Sequence, residues 1–303
     1  MRFRSLALLA LLLTACGSAP KPVARAALVE PVFDSPREYR KQATLPCAEG
    51  AGLVWVLDIN HGLHAFDPST RTFRRVGRAQ CPRSRRTSML AASNSMAVDR
   101  QGVAWVNHRD GALYRVSTRD ASCVESDYEP MQGGFRNFGS AFASTGSDLT
   151  SETLFVSAPG DAAEDWAPGM RAGGGLARIE QGTKLVFIGE YSEPLRGVDA
   201  ELTGTGDGRL FGFFATKPSA TLAEIDPTNA NIKRALRLPG VQTGMAWAFA
   251  FHEGAFWFFW TPQGQTSNVS RLTLDGRLDR VHTNVGFHIV GAGVSTCAPS
   301  RQN

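Results

Sequence analysis

The sequence predicts an all-β protein, and three observations carry that prediction. Short strands of apolar and aromatic residues recur about every fifty residues from position 47 onward. Helical periodicity is nearly absent from the chain. The first repeat lacks one strand, and the segment 289–294 near the end of the chain matches it. Five repeats closed by their own last strand predict a five-bladed β-propeller, in which the C-terminal strand completes the first blade.

The clearest strand of each repeat is apolar and aromatic. Trp55 and Trp257 hold equivalent positions in the first and fifth repeats, four steps apart. The five aromatic strands are 53–56, 103–106, 153–156, 210–213 and 255–258. Each is followed by a strand with alternating apolar residues, at 63–66, 113–116, 176–179, 222–225 and 269–272. Asp-Pro and Asp-Gly pairs, which favour tight turns, follow or separate these strands.

A weaker strand of small and apolar residues precedes every aromatic strand except the first. These strands are 95–98, 139–143, 200–203 and 245–249. Small side chains suit the crowded centre of a propeller, so we expect these strands to line the axis. The segment 289–294 supplies the missing inner strand of the first blade. Closure of this kind leaves no open sheet edge in the ring.

The N-terminus has the pattern of an export signal. Arg2 and Arg4 precede an apolar run, 6–13, that is too short to span a bilayer stably. The run ends in Leu13-Thr14-Ala15-Cys16, which resembles the lipobox of bacterial lipoprotein precursors. The resemblance implies cleavage before Cys16, a diacylglycerol on its sulfur and an acylated amine. The alternative is an ordinary export signal with an incidental cysteine.

Three regions follow from this interpretation. Residues 1–15 form the lipoprotein signal peptide, 16–46 the lipidated cysteine with a proline-rich extended tether, and 47–303 the propeller. Gly17 stands where lipoproteins retained in the inner membrane often carry Asp, which favours the outer membrane. Without Arg2 and Arg4 the formal charge falls from +4 to about +2, so global charge predicts no nucleic-acid partner.

The four cysteines after Cys16 are expected to form two disulfides, because an exported chain meets an oxidising compartment. Cys297 ends the closing strand, and Cys47 precedes the aromatic strand that should pair with it. We therefore predict the disulfide Cys47–Cys297, and Cys81–Cys123 follows by elimination. No cysteine or histidine spacing indicates a metal site, and we predict no bound metal.

The pattern Asp-x-x-Gly-x-x-Trp-Val, from Asp99 to Val106, resembles NHL-type and SMP-30/gluconolactonase-like propeller repeats. The resemblance covers most of residues 50–297, with degenerate repeats, and it implies an architecture more than an activity. Gluconolactonase-like propellers use carboxylates and asparagines around a divalent metal in the channel. They have six blades, however, and their ligands cannot be matched here position by position.

In a propeller, the joins between blades and the joins between second and third strands share one face. These joins are long here, at 77–94, 127–138, 157–175 and 261–268, and long loops on a rigid scaffold usually carry binding sites. We call this face the long-loop face and its opposite the short-loop face. The tether enters near Cys47 on the short-loop face, so the long-loop face is expected to point away from the membrane.

Three features of the long-loop face are candidate binding sites. The first is an arginine cluster within 71–86, represented by Arg78, Arg83, Arg85 and Arg86, which suits phosphate or carboxylate groups. The alternative is a solvated outer strand and loop. The second is Trp166 in an acidic, glycine-flanked loop, which suits a partner hot spot unless it caps its own blade.

The third candidate is the mouth of the channel, where polar residues begin the inner strands. They are Asn94, Asn137, Asp199, Glu201, Gln242 and His288. Such side chains suit a small ligand or a divalent cation, and the alternative is a water-filled, hydrogen-bonded plug. The histidines at 61, 64, 108, 252 and 282 fall on turns and outer strands, where surface positions are expected.

No catalytic motif is evident, because the chain has no GxSxG, no HExxH and no phosphate-binding glycine loop. The sequence therefore favours a non-catalytic binding or scaffold lipoprotein of the outer membrane, without a cofactor. Its expected partners are the membrane, through the lipid, and an envelope protein or acidic polysaccharide. The alternative function is a metal-dependent, lactonase-like hydrolase with its site at the channel.

Overall fold

The computed structural model describes residues 32–35, 47–87, 91–157 and 175–300. The predicted signal peptide, Cys16 and Trp166 lie outside these ranges. Five four-stranded antiparallel sheets make up the described part of the chain. Each sheet begins with an inner strand and runs outward to an edge strand. The prediction of an all-β, five-bladed propeller is therefore confirmed.

The blades follow one another along the chain. Blade 1 comprises β1 (Val54–Asp58), β2 (Gly62–Asp67), β3 (Thr72–Arg78) and the late strand β20 (Ile289–Gly293). Blade 2 comprises β4 (Ser93–Val98), β5 (Val103–His108), β6 (Leu113–Ser117) and β7 (Cys123–Glu125). Blade 3 comprises β8 (Gly139–Thr145), β9 (Ser151–Ser157), β10 (Gly175–Glu180) and β11 (Lys184–Glu190).

The last two blades repeat the same order. Blade 4 comprises β12 (Ala200–Gly204), β13 (Leu210–Phe214), β14 (Thr221–Ile225) and β15 (Ile232–Arg237). Blade 5 comprises β16 (Ala246–His252), β17 (Ala255–Thr261), β18 (Asn268–Thr273) and β19 (Leu278–His282). The only helical element among the described residues is a single 3-10 turn, Gln132–Gly134. No helix in the described ranges is long and apolar enough to cross a membrane.

The five inner strands form a closed ring, in which β20 lies between β16 and β4. Glycine allows the blades to approach this closely. A Cβ added to Gly139 would lie 2.2 Å from the Ala200 carbonyl oxygen, and one added to Gly204 would lie 2.2 Å from that of Phe142. Backbone therefore packs directly on backbone between blades 3 and 4, as the small residues of the inner strands predict.

The core is divided among the blade interfaces. Each of the five apolar clusters lies between two neighbouring blades. The interface of blades 4 and 5 is rich in phenylalanine, and Phe249 and Phe258 stack there with ring centroids 5.8 Å apart. The outer strands carry exposed charges instead; Arg74 and Arg75 of β3 are both exposed. Charged edges of this kind oppose sheet-to-sheet aggregation.

The closure of blade 1 has the predicted strands and the predicted disulfide. β20 pairs antiparallel with β1, with Trp55 opposite Gly293. Cys47 and Cys297 are bonded, with their Cα atoms 6.1 Å apart, and Cys81 and Cys123 form the second disulfide. Both cysteine pairings predicted from the sequence are confirmed.

Arg100 joins three blades at the short-loop end of the axis. It lies in the β4–β5 turn and is 3% exposed. Its Nε donates to Thr296 Oγ1 at 2.7 Å, just after β20, and Nη2 donates to Ser144 Oγ of β8 at 2.6 Å. The Glu152 carboxylate lies 3.7 Å from Arg100 Nε, so the buried charge is balanced.

A short segment of the predicted tether, 32–35, packs against the propeller between blades 4 and 5. The Phe33 ring is fully buried, with centroids 5.7 Å from Phe211 and 5.5 Å from Phe256. The N–H of the residue before it donates to the Leu274 carbonyl at 2.9 Å. The segment belongs to the predicted tether, and its contact with the core was not predicted from the sequence.

Candidate functional site

A cavity of about 440 Å³ opens on the long-loop face between blades 1 and 2. The β1–β2 turn contributes His61, and the join between β3 and β4 contributes Arg78 and Arg83. His108 at the end of β5 and Tyr114 of β6 complete the functional part of the lining. The volume lies in the range of sites that bind small molecules or the end groups of larger ligands.

The floor of the cavity is a chain of neutral polar groups. His61 Nδ1 lies 2.8 Å from Ser93 Oγ, which lies 3.4 Å from His108 Nε2. Burial lowers the pKa of His108 to about 4, and burial and the nearby Arg78 lower the pKa of His61. Both imidazoles are therefore largely neutral at neutral pH.

Tyr114 forms a wall beside the histidines. Its ring centroid lies 4.5 Å from that of His108. Burial raises the pKa of Tyr114 to about 12, so the phenol keeps its proton at neutral pH. The wall and floor therefore offer hydrogen bonds without net charge, and the charge of the cavity comes from the arginines at its rim.

Histidines at turns and outer strands were expected at the surface, and that expectation is wrong for His64, His108 and His252. Their exposed fractions are 8%, 6% and 4%. The reason is that the ends of inner and middle strands are covered by residues of the neighbouring blades. His64, for example, bonds through Nε2 to Asp58 Oδ2 at 2.9 Å and stacks on Phe287 at 4.4 Å.

The arginine cluster of the sequence divides into two groups around this cavity. Arg78 and Arg83 line it; Arg78 Nε donates to a backbone carbonyl at 3.1 Å, and Arg83 is exposed. Within the described ranges, Arg83 forms no ion pair. Its guanidinium is therefore available to an anion that enters the cavity.

Arg85 and Arg86 are instead paired with acidic residues of blade 2. Arg86 Nε donates to Glu129 Oε1 at 2.9 Å, and Glu125 Oε2 lies 3.4 Å from Arg85 Nε and 3.6 Å from Arg86 Nη1. Ser84 also donates to Glu125. These contacts and the disulfide Cys81–Cys123 fix the loop that carries Arg83, so Arg85 and Arg86 act as supports of the cavity.

The residues predicted at the channel mouth are engaged in several separate hydrogen bonds. Asn94 Nδ2 donates to Asn107 Oδ1 at 3.2 Å, which ties it to the neighbouring strand. His288 Nε2 lies 3.0 Å from the Gln265 carbonyl oxygen, and Asn137 keeps a buried oxygen without a hydrogen-bond partner in the described chain. Asp199 at the start of β12 is half-buried and engaged by neighbours.

Glu201 bonds across the ring to the inner strand of blade 2. Its Oε2 accepts a hydrogen bond from Ser95 Oγ at 2.8 Å, and Ser140 Oγ lies 3.3 Å from Ser95 Oγ. Burial raises the pKa of Glu201 well above its ordinary value, with the Asp199 carboxyl adding to the shift. Among the described residues, no three His, Cys, Asp or Glu side chains are grouped closely enough to share a metal ion.

The spacing of two histidines in the sequence is a signal for this cavity. His61 and His108 lie at the equivalent turn, between the second and third strands, of two successive blades. They are about one repeat apart, so they fall next to each other on the same face. Their ring centroids are 5.5 Å apart. The position of Ser93 between them could not be foreseen, because it depends on how the inner strand of blade 2 meets the turn of blade 1.

Comparison with known proteins adds little beyond the fold. No protein-family model and no curated protein matches the chain. Similar solved structures include TolB from Acinetobacter baumannii, with 12% identity over 76% of this chain and 52% of that one, and a TM-score of 0.44. The chain thus spans about half the length of that structure.

Two enzymes are among the other similar structures. One is a gluconolactonase from Xanthomonas campestris, with 15% identity over 78% of this chain and 73% of that one, and a TM-score of 0.42. The other is the PQQ-bound aldose sugar dehydrogenase from Streptomyces coelicolor, with 11% identity over 88% of each chain and a TM-score of 0.44. These likenesses are too low to carry a function to this chain, which is identified by its own sheet topology as a five-bladed β-propeller.

Proposed function

We propose that the protein is a non-catalytic binding module of the cell envelope that captures an anionic group in the cavity between blades 1 and 2. The observation that carries the proposal is Arg83, an exposed guanidinium without an ion pair in the described chain, on a loop fixed by a disulfide. Arg78 stands beside it on the same cavity. Arginines bind phosphate and carboxylate oxygens in a forked geometry, which suits an acidic polysaccharide or an acidic envelope protein.

The neutral floor supports binding rather than catalysis. The Ser93 hydroxyl lies between the two imidazoles, yet the residue is only 1% exposed. A nucleophile in that position has no path to a bound substrate. His61, which is partly exposed at the cavity, instead offers a hydrogen bond to the hydroxyl groups that accompany the anion on a sugar acid.

The binding proposal is tested with the full chain and two defined probes. Polygalacturonate supplies carboxylates and polyphosphate supplies phosphates, and titration calorimetry at low salt measures the affinity for each. Arg83→Ala and Arg78→Ala are each expected to weaken binding about tenfold or more, because each removes a charge-assisted hydrogen bond worth roughly 1.5–3 kcal/mol. Arg74→Ala, an exposed arginine of β3 outside the cavity, is the matched control.

Equal losses in Arg74→Ala and Arg83→Ala would indicate general charge attraction, and the cavity would not be the site. Absence of saturable binding to both probes would also contradict the proposal. Hydrolysis of a lactone by the full chain, dependent on an added divalent metal, would favour the lactonase-like function instead. That activity is assayed on the same preparation before and after chelation.

The envelope location is part of the proposal and rests on Cys16. We infer that the full chain is lipidated there and held on the outer membrane by its acyl chains, because two or more acyl chains anchor a protein stably. Metabolic labelling with a palmitate analogue in a bacterial host is expected to label the wild-type chain and not Cys16→Ser. Membrane fractionation then distinguishes the outer from the inner membrane. Label retained in Cys16→Ser would contradict the anchor.

A further inference from the structure

A second cavity, of about 380 Å³, opens on the short-loop face between blades 1 and 5. Arg71 of the β2–β3 turn lies on one side. His252 and Glu253 at the β16–β17 turn, with Trp257 of β17 and Arg271 of β18, form the other side. The proposed function uses none of these residues, and the volume is that of a small-molecule site.

Two arginines give the cavity its positive charge. Arg271 lies opposite Trp257 in the register of β17 and β18, and its guanidinium is 5.7 Å from the centre of the indole ring. Arg71 is exposed at its turn. In the part of the chain that the structure describes, neither arginine forms an ion pair. Two such guanidiniums beside one cavity suit a phosphate or a carboxylate.

Glu253 gives the same cavity a negative charge. It occupies a two-residue hairpin turn with Gly254, and both residues have positive φ, 49° and 70°. The turn is fixed, because the N–H of Glu253 donates to the Pro299 carbonyl at 2.7 Å. The carboxylate has no ion-pair partner within the described ranges. A ligand that matches this lining must carry a positive group near its anionic group.

Two residues of the lining also carry buried polar atoms without a partner among the described residues. His252 and Trp257 are 4% and 3% exposed, and both line the cavity. His252 Nε2 bonds to the Gly52 carbonyl oxygen at 2.5 Å, which leaves Nδ1 as an acceptor. That Nδ1 and the Trp257 Nε1–H have no hydrogen-bond partner among the described residues. Buried polar atoms are normally satisfied, so these two require an explanation.

We propose that this cavity binds a zwitterionic group of the phosphoethanolamine type. Arg71 and Arg271 hold the phosphate, and Glu253 holds the ammonium group. His252 and the Trp257 ring form part of the wall beside these charged groups. Such a group is carried by the headgroup of an ethanolamine phospholipid and by soluble phosphoethanolamine, which share this chemistry.

The test uses the full chain in neutral detergent micelles and titration calorimetry with three soluble probes: O-phosphoethanolamine, inorganic phosphate and ethanolamine. The full chain is expected to bind O-phosphoethanolamine at least tenfold more tightly than the other two. Arg71→Ala and Arg271→Ala are expected to weaken that binding about tenfold or more. Glu253→Gln is expected to remove the preference over inorganic phosphate, since it deletes only the partner of the ammonium group.

A second arm distinguishes the source of the group. Micelles doped with phosphatidylethanolamine, compared with phosphatidylglycerol, are followed by the phosphorus NMR line of each lipid. If the phosphorus line of phosphatidylethanolamine shifts with the wild type and not with Arg71→Ala, the ligand is a membrane headgroup. If only O-phosphoethanolamine binds, the ligand is a soluble molecule. Arg74→Ala is the control in both arms, and the thermal midpoint of each variant verifies folding. Absence of saturable binding, or equal affinity in Arg71→Ala and the wild type, would overturn the proposal.

Discussion

Glu201 Oε2 accepts a hydrogen bond from Ser95 Oγ at 2.8 Å, which links blade 4 to blade 2 across the axis of the ring. The two blades are not neighbours, since blade 3 lies between them. The channel is therefore narrow enough at this level for side chains of opposite blades to meet. The Glu201 residue at that position is buried, with 7% of its surface exposed.

Glu201→Gln is expected to raise stability at pH 8 and to have little effect near pH 4. Burial raises the pKa of Glu201 well above 4.5, so the folded protein keeps a proton that the unfolded chain releases above that pH. Wild-type stability thus falls as pH rises from about 4.5, and the amide oxygen of Gln still accepts from Ser95. Urea unfolding at both pH values measures the difference. If the stability difference between Glu201→Gln and the wild type is equal at pH 4 and pH 8, Glu201 is not a buried, protonated acid.

His108 is expected to have the opposite pH dependence. Its pKa of about 4 in the folded protein lies below the ordinary 6.5, so between these values the unfolded chain binds a proton that the folded chain does not. Stability is expected to fall by about 3 kcal/mol as pH drops from 6.5 to 4. His108→Asn removes this part of the pH dependence, which urea unfolding at pH 7 and pH 4.5 detects. Equal pH dependence in the two proteins would show that His108 is not responsible.

Phe33→Ala is expected to destabilise the propeller by about 3–5 kcal/mol, the usual cost of deleting a fully buried phenylalanine. The ring fills a space between Phe211 and Phe256 that no other described residue of the tether occupies. Thermal or urea unfolding of the full chain measures the loss. Replacement of the exposed Ser35 by Ala is the control and is expected to leave stability unchanged. A loss below about 1 kcal/mol would mean that the segment is not bound in solution.

The two disulfides are expected to contribute unequally. Cys47–Cys297 closes 250 residues and Cys81–Cys123 closes 42, so the loop-entropy model gives about 5.5 and about 4 kcal/mol. The double Ser variant of the first pair is expected to lower stability more. The double Ser variant of the second pair is expected to weaken anion capture as well, because it frees the loop that carries Arg83. Intact capture without Cys81–Cys123 would show that the loop needs no such support.

The repetitive part of this fold was predictable, because the same apolar strand pattern recurs in every blade. Each further copy of the pattern supports the strand assignment of the others. The closing strand and the bond of Cys47 to Cys297 followed from that repetition. Phe33 was not predictable, since a single aromatic residue in a proline-rich segment has no periodicity. The pairing of Arg86 with Glu129 was not predictable either. The two residues are 43 positions apart in separate loops and meet through their side chains alone, so no sequence pattern marks the contact.

The strand that completes blade 1, β20, follows the other nineteen strands of the ring in sequence and is therefore synthesised after them. Until β20 arrives, β1 presents unpaired backbone groups on its axial side, and such an edge is a template for another chain. A product truncated before Ile289 would therefore carry an adhesive edge rather than form a smaller ring. Its expected fate is association with other copies or proteolysis, because the ring closes only when β20 is present.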